Sequence, residues 1–109
     1  MKRNKEQLEE RIIKARNIRS KAIAYYNLAV FHDNNAREAK AIPNYLNALK
    51  FGMESKIKAK CLAWLASSLY KTNKPKAGLQ RCREAMKINK DKKLQKLLIG
   101  LKKRIQKAL

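Results

Sequence analysis

The stretch from Ala59 to Asp91, AKCLAWLASSLYKTNKPKAGLQRCREAMKINKD, carries two short amphipathic patterns joined by a polar break. The first runs Leu62, Leu65, Ala66, Leu69, and the second runs Gly78, Cys82, Ala85. Steps of three and four stack such positions on one helical face. The break is Lys71-Thr72-Asn73-Lys74-Pro75, and Pro75 suits the first turn of a new helix. The small residues Ala66 and Gly78 are expected where two antiparallel helices cross closely.

The pattern occurs twice. Tyr25, Leu28, Ala29 and His32 repeat the first half, and Ala41, Tyr45 and Ala48 repeat the second. Tyr25 precedes Leu62, Ala29 precedes Ala66, Ala41 precedes Gly78 and Ala48 precedes Ala85 by the same 37 residues. A constant offset across so many positions marks a repeat array.

Large-x-x-large-small-x-x-large, followed by small-x3-medium-x-x-Ala, resembles the signature of the tetratricopeptide repeat (TPR). Leu62 stands at the usual leading Trp and Lys90 at the usual closing Pro. The usual TPR period is about 34 residues, so the surplus is expected around Met53–Lys58, between helix pairs. The run Ala36–Lys50, AREAKAIPNYLNALK, is similar to a stretch, REAEAIPxYxxAL, of small bacterial TPR proteins. The resemblance covers roughly residues 20 to 91. It implies an all-α stack of about six antiparallel helices and a role in binding other proteins.

The expected layout is one domain over 1–109. An N-terminal helix spans 5–19, a first helix pair 20–52, a second pair 55–88, and a C-terminal capping helix 90–108. Leu8, Ile12 and Ala15 align with Ala41, Tyr45 and Ala48 at an offset of 33, which makes the first helix the second half of a split repeat. Ser20 is the expected N-cap of the next helix, and Asp33-Asn34-Asn35 its end, because Asn tolerates the left-handed conformation. Pro43 lies inside a helical pattern and is expected to bend it, with Ile42, Tyr45, Leu46 and Leu49 still buried. Gly52 suits a C-cap.

Charge is uneven. The net value is +20. Residues 1–54 hold 11 Lys/Arg and 6 Asp/Glu, giving +5, while residues 55–109 hold 17 and 2, giving +15. Such an excess favours polyanions or acidic proteins as partners. No apolar run approaches the ~18 residues of a membrane span, and the charged start has no apolar segment behind it, so neither membrane insertion nor a secretory signal is expected. Cys61 and Cys82 fall inside the helical patterns and are expected as buried thiols of a cytoplasmic protein.

Catalytic constellations are missing from the sequence. His32 is the sole histidine, and it falls on the packing pattern opposite Leu69. The eight carboxylates are scattered, and the three glycines stand alone. No enzyme, cofactor or metal site is expected.

In a TPR-type stack the first helix of each pair lines a concave groove. With Leu62, Leu65, Ala66 and Leu69 inward, Lys60, Ala63, Trp64, Ser67 and Lys71 are expected on the groove side. The equivalents in the first pair are Ile23, Tyr26, Asn27, Val30 and Asn34. The last helix would add Lys96, Ile99, Lys103 and Lys107. Tyr26, Asn27, Lys60 and Trp64 are the expected centre of a peptide-binding patch. Some TPR domains hold a peptide carboxylate in a Lys/Asn clamp. Asn27 and Lys60 match two of its positions, whereas Tyr26, Val30 and Trp64 depart from it. The function expected is a non-catalytic adaptor for a protein or peptide of acidic character. The alternatives are association with RNA or DNA through the basic C-terminal half, and a self-associating helical unit.

Overall fold

The computed structural model describes residues 4–109; the charged start Met1–Arg3 lies outside them. Six helices follow one another: α1 (Lys5–Lys14), α2 (Ile18–Asn34), α3 (Glu38–Phe51), α4 (Ser55–Lys71), α5 (Pro75–Ile88) and α6 (Lys92–Lys107). Among the described residues there is no strand. The chain divides into two compact units between Met53 and Glu54.

Helix ends repeat with the same register as the side chains. α2 and α4 start and stop 37 residues apart, as do α3 and α5. The turns repeat too. Arg37 N–H donates to the His32 carbonyl at 2.9 Å and Ala36 N–H to Asp33 at 3.1 Å; in the second copy Lys74 N–H donates to Leu69 at 2.8 Å and Asn73 N–H to Tyr70 at 3.1 Å. These paired bonds are the Schellman closure, which satisfies the last carbonyls of a helix and needs a left-handed residue. That residue is Ala36 (φ 56°) in the first copy and Asn73 (φ 63°) in the second. The left-handed position is therefore Ala36, not the neighbouring Asn34 or Asn35. The constraint falls one residue later than the composition of the turn suggests.

The register also reassigns α1. The helix expected over 5–19 stops at Lys14, because Ala15 is extended (φ −65°, ψ 123°) and Asn17 caps α2. Ser20 is not the cap; its N–H donates to Asn17 Oδ1 at 2.8 Å. Lys14 lies 37 residues before Phe51, and three-residue links 15–17, 52–54 and 89–91 share that spacing. Leu8 thus corresponds to Tyr45 and Cys82, at an offset of 37 and not 33. All three are buried.

In the first unit, α2 packs on α3 and α1 packs on α2. Ala29, Ala41, Tyr45 and Ala48 are wholly buried. Tyr25 stacks on Phe51 at 5.7 Å, and Tyr45 Oη donates to Asp33 Oδ2 at 2.8 Å. α3 runs through Pro43 without a break, and the Asn44 amide donates to the Lys40 carbonyl at 2.9 Å. Leu46, expected in the core, is 41% exposed; one residue beyond Tyr45, it has rotated off the buried face.

In the second unit, α4 packs on α5, and α6 covers α5 and touches α4. Leu62, Leu65, Ala66, Leu69, Cys82, Ala85 and Gly78 are buried. The crossing of α4 and α5 is tight. A Cβ built on Gly78 would lie 3.0 Å from the Ala66 carbonyl oxygen, 3.4 Å from the Tyr70 nitrogen and 3.5 Å from Ile105 Cδ1. Cys82 Sγ approaches the Leu98 carbonyl at 3.4 Å, fastening α6 over the pair. α6 buries Leu94, Leu98, Leu101 and Ile105. By the 37-residue register it carries Ile99, Lys102, Lys103 and Gln106 where α4 carries Leu62, Leu65, Ala66 and Leu69. The face on which α4 grips its partner is thus largely polar on α6.

Two glycines separate packing from propensity. Gly78→Ala should destabilise by about 1 kcal/mol or more, since the methyl meets backbone that cannot yield. Gly100→Ala, where an added Cβ meets nothing within 4 Å, should stabilise by up to about 1 kcal/mol through helix propensity. Thermal melts of the two variants should move in opposite directions. A third variant, Ala36→Asn, copies the second turn into the first and should raise stability by roughly 1 kcal/mol by relieving a left-handed alanine; denaturant titration checks it.

Candidate functional site

On α4 the residues Lys60, Trp64, Ser67 and Lys71 recur at four, three and four, and so share one face. Lys60 and Lys71 are exposed, while Trp64 and Ser67 are half-buried. Ala63, expected beside them, is buried. It belongs by spacing to the stripe Ala59, Ala63, Ala66, which lies in the core.

On α2 the two expected residues separate. Tyr26 is half-buried, with its ring centroid 6.2 Å from that of Tyr45 at a 53° tilt. Asn27 lines a depression of about 310 Å³ with Ile23, Ala24 and Ser20 of α2, Arg11 and Lys14 of α1, and Ala15. Adjacent residues on a helix diverge by about 100°, so neighbours in sequence meet different surroundings. Arg11 and Lys14 were missed by the sequence reading, and the signal for them is the 37-residue spacing of α1.

On α6, Lys96 and Lys103 are exposed and lie two turns apart on one face. They stand in register with Ala59 and Ala66, whereas the register of Lys60, Trp64 and Ser67 falls on Leu97, Leu101 and Arg104. Lys60 has other company. It lines a recess of about 500 Å³ with Ser55 and Lys56 of α4, Ile88 of α5, the link Asn89-Lys90-Asp91, and Leu94 of α6. The link is braced: Asn89 Nδ2 donates to the Asp91 carbonyl at 2.8 Å and to Gln95 Oε1 at 3.1 Å, and Asp91 N–H donates to Asn89 Oδ1 at 3.1 Å. Asp91 Oδ1 accepts from Lys93 N–H at 2.8 Å and from Leu94 N–H at 3.3 Å. The Leu94 and Lys93 amides hold the Asp91 carboxyl below the usual carboxylate range, and the Lys60 and Lys56 ammoniums add to this.

The remaining titratable groups do not suggest chemistry. Burial pushes the Cys61 thiol up to about 12 and also raises Cys82. Both cysteines are buried and neither is in a disulfide, so they stay protonated and unreactive at neutral pH. Among the described residues, no group of three His, Cys, Asp or Glu side chains is placed to hold a metal ion. Nor is any helix among them long and apolar enough to cross a membrane.

His32 is a polar member of the core. It is buried, its ring meets Phe31 edge-on at 5.6 Å, and its Nδ1 has no hydrogen-bond partner. Burial lowers its pKa first, and Arg37, Lys40 and Lys5 lower it further, against a smaller opposing pull from Glu9. Arg37 itself sits over the Phe31 ring at 5.4 Å.

Two helical hairpins repeated in strict register, followed by a helix polar where the next partner would sit, define a helical-repeat protein. The family model described as Tetratrico peptide repeat matches residues 22–103. The chain belongs to the tetratricopeptide repeat family. Repeats of this family are generally scaffolds for protein–protein interaction and are typically non-catalytic. A comparison with curated proteins finds no match.

The His32 environment sets a pH dependence. The folded chain keeps the imidazole neutral, whereas the unfolded chain protonates it near its ordinary pKa of 6.5. Below that value the unfolded state binds the extra proton, so stability falls as pH drops from 6.5 towards the lowered folded pKa. Above 6.5 the effect vanishes. His32→Leu, which copies Leu69 of the second repeat, should remove this loss. Melting temperatures of both proteins at pH 7.5 and pH 5 should differ more for the parent than for the variant.

Proposed function

We propose that this protein is a non-catalytic adaptor that binds a peptide or helix of acidic character through the first helices of its repeats. The observation that carries this is the α4 face, where half-buried Trp64 and Ser67 lie between the exposed ammoniums of Lys60 and Lys71. An aromatic anchor gives large contact area at low entropic cost, and tends to dominate binding energy when a polar rim excludes water from it. The flanking lysines supply long-range attraction for carboxylates and set the on-rate more than the final affinity. Tyr26 and Asn27 on α2 are the candidates of the first unit, with Tyr26 braced against Tyr45. Lys96 and Lys103 would contribute charge from α6. A cytoplasmic setting suits the two buried thiols.

One observation favours a second role. The +15 excess of residues 55–109 includes Lys92, Lys93, Lys96, Lys102, Lys103, Arg104 and Lys107 of α6. A row of this kind can neutralise nucleic-acid phosphates, with an affinity that falls steeply with salt.

A tagged pull-down with and without nuclease separates the two. Partners that survive nuclease support the adaptor, and loss of every partner supports RNA or DNA association. For a surviving partner, Trp64→Ala should weaken binding by about 2 kcal/mol or more. Lys60→Ala should cost less and mainly change the salt dependence. Isothermal titration beside melting curves checks both. Unfolding of Trp64→Ala would move Trp64 into the core and remove the α4 face from the site.

A further inference from the structure

The recess of about 500 Å³ beside the start of α4 is not part of the face just described, although Lys60 borders both. Its chemistry is mixed in a particular way. Ile88 and Leu94 are the apolar side chains that line it, one at the end of α5 and one in the first turn of α6. Lys56 and Lys60 of α4 and Lys90 of the α5–α6 link also line it. Asp91 also lines it, but its Oδ1 is engaged in capping α6. The lining residues therefore carry three positive charges against one negative.

The α4 N-terminus borders the recess without a side-chain cap. Asn17, Glu54 and Asp91 occupy the same place in the 37-residue register, each just before a first helix. Asn17 and Asp91 accept hydrogen bonds from the amides they cap, whereas Glu54 makes no side-chain cap bond. The first turn of α4, with Ser55 and Lys56 in the recess wall, keeps the positive end of its helix dipole unmatched by a capping side chain. The recess is also prearranged, since the Asn89–Asp91 link is held by its own hydrogen bonds.

We infer that this recess is a binding site for a peptide carboxylate next to a bulky apolar side chain, the apolar group lying against Ile88 and Leu94 and the carboxylate meeting Lys56, Lys60 and Lys90. The inference rests on the peptide-binding reading above and names where an acidic partner engages. A volume of this size with a mainly apolar lining and a few convergent charges is typical of small-ligand and side-chain pockets. A bare phosphate would leave the half-buried Ile88 uncovered. A nucleic-acid strand would want a ring to stack on, and no aromatic residue lines the recess. The carboxylate can come from a chain terminus or from a Glu or Asp side chain, and both present the same group.

The test is methyl NMR on isoleucine- and leucine-labelled protein at low salt. The probe is a hexapeptide of alternating glutamate and leucine that ends on leucine. It is used as the free acid, as the C-terminal amide, and as the amide with every glutamate replaced by glutamine, which carries no carboxylate; inorganic phosphate is the fourth ligand. The Ile88 and Leu94 methyls should shift with the free acid. The triple variant Lys56→Gln, Lys60→Gln, Lys90→Gln should weaken this at least tenfold with an unchanged melt. Lys90→Gln alone, in the link, should give a smaller loss and serves if the triple variant unfolds. Glu54→Asp, which keeps the charge but can cap α4, should also weaken binding. Loss of the shifts on amidation assigns the carboxylate to the chain end, and their persistence assigns it to glutamate. Equal binding of the glutamine peptide, or displacement of the peptide by an equal concentration of phosphate, overturns the inference. Shifts elsewhere with Ile88 and Leu94 silent overturn the recess and leave the peptide-binding reading intact. No shift at all overturns the recess as well, while the adaptor itself stands or falls by the pull-down.

Discussion

The distance of closest approach between α4 and α5 governs the rest of the second unit. With Gly78 as close to the Ala66 carbonyl as a methyl would barely allow, the two helices meet backbone to backbone. Large side chains are then forced to the flanks of the crossing. Leu62, Leu65 and Leu69 fill one side, while Cys82 and Ala85 fill the other. Ile105 reaches Gly78 from α6, so the third helix is seated by the same contact. The first unit solves the problem with Ala29 and Ala41, both wholly buried, and places the larger Tyr45 where the second has Cys82. The exchange brings a hydroxyl into the core, and Asp33 satisfies it. A buried polar atom without such a partner is costly, and the His32 Nδ1 a few residues away is an example.

Repetition explains more than the core. Turns, links and helix ends share one 37-residue spacing, so each unusual residue has a counterpart that shows what the position demands. Ala36 takes the left-handed conformation that Asn73 takes more easily. Glu54 occupies the cap position that Asn17 and Asp91 fill with a hydrogen bond. His32 stands where Leu69 packs without a polar atom. These departures fall into two kinds. Ala36 and His32 are local costs borne by the first repeat. Glu54 leaves the first turn of α4 without a side-chain cap, beside the lysines that line the recess.

The charge of the protein has little to do with its fold. The ion pairs Lys5–Glu9 and Lys14–Glu10 lie in solvent and Arg81–Glu84 is half-buried, and each joins neighbours on one helix. Pairs of this type contribute little to stability. The excess lysine is therefore available to act at a distance. Such an excess raises the local concentration of anions, while the recess and the Trp64 face proposed above would offer the short-range contacts.

The sequence by itself determined the helices, their 37-residue period and the inward positions Leu62, Leu65, Ala66, Leu69, Gly78, Cys82 and Ala85. Helical periodicity and repetition encode these directly. It also held the correct register of α1, since Lys14 and Phe51 end their helices at equal spacing, but a three-residue pattern match at 33 obscured it. Only the tertiary structure decided what covers each face. Leu46 is apolar and lies near the buried side, yet nothing packs over it well enough to remove it from water. Tyr26 and Asn27 are neighbours in the chain, and the fold sends one onto Tyr45 and the other into a depression with Arg11 and Lys14. Lys90 stands far from Lys56 and Lys60 in sequence and lines one recess with them, because the α5–α6 link folds back beside the first turn of α4. Periodicity reports which side of a helix a residue occupies. Which atoms lie opposite depends on where the other helices come to rest.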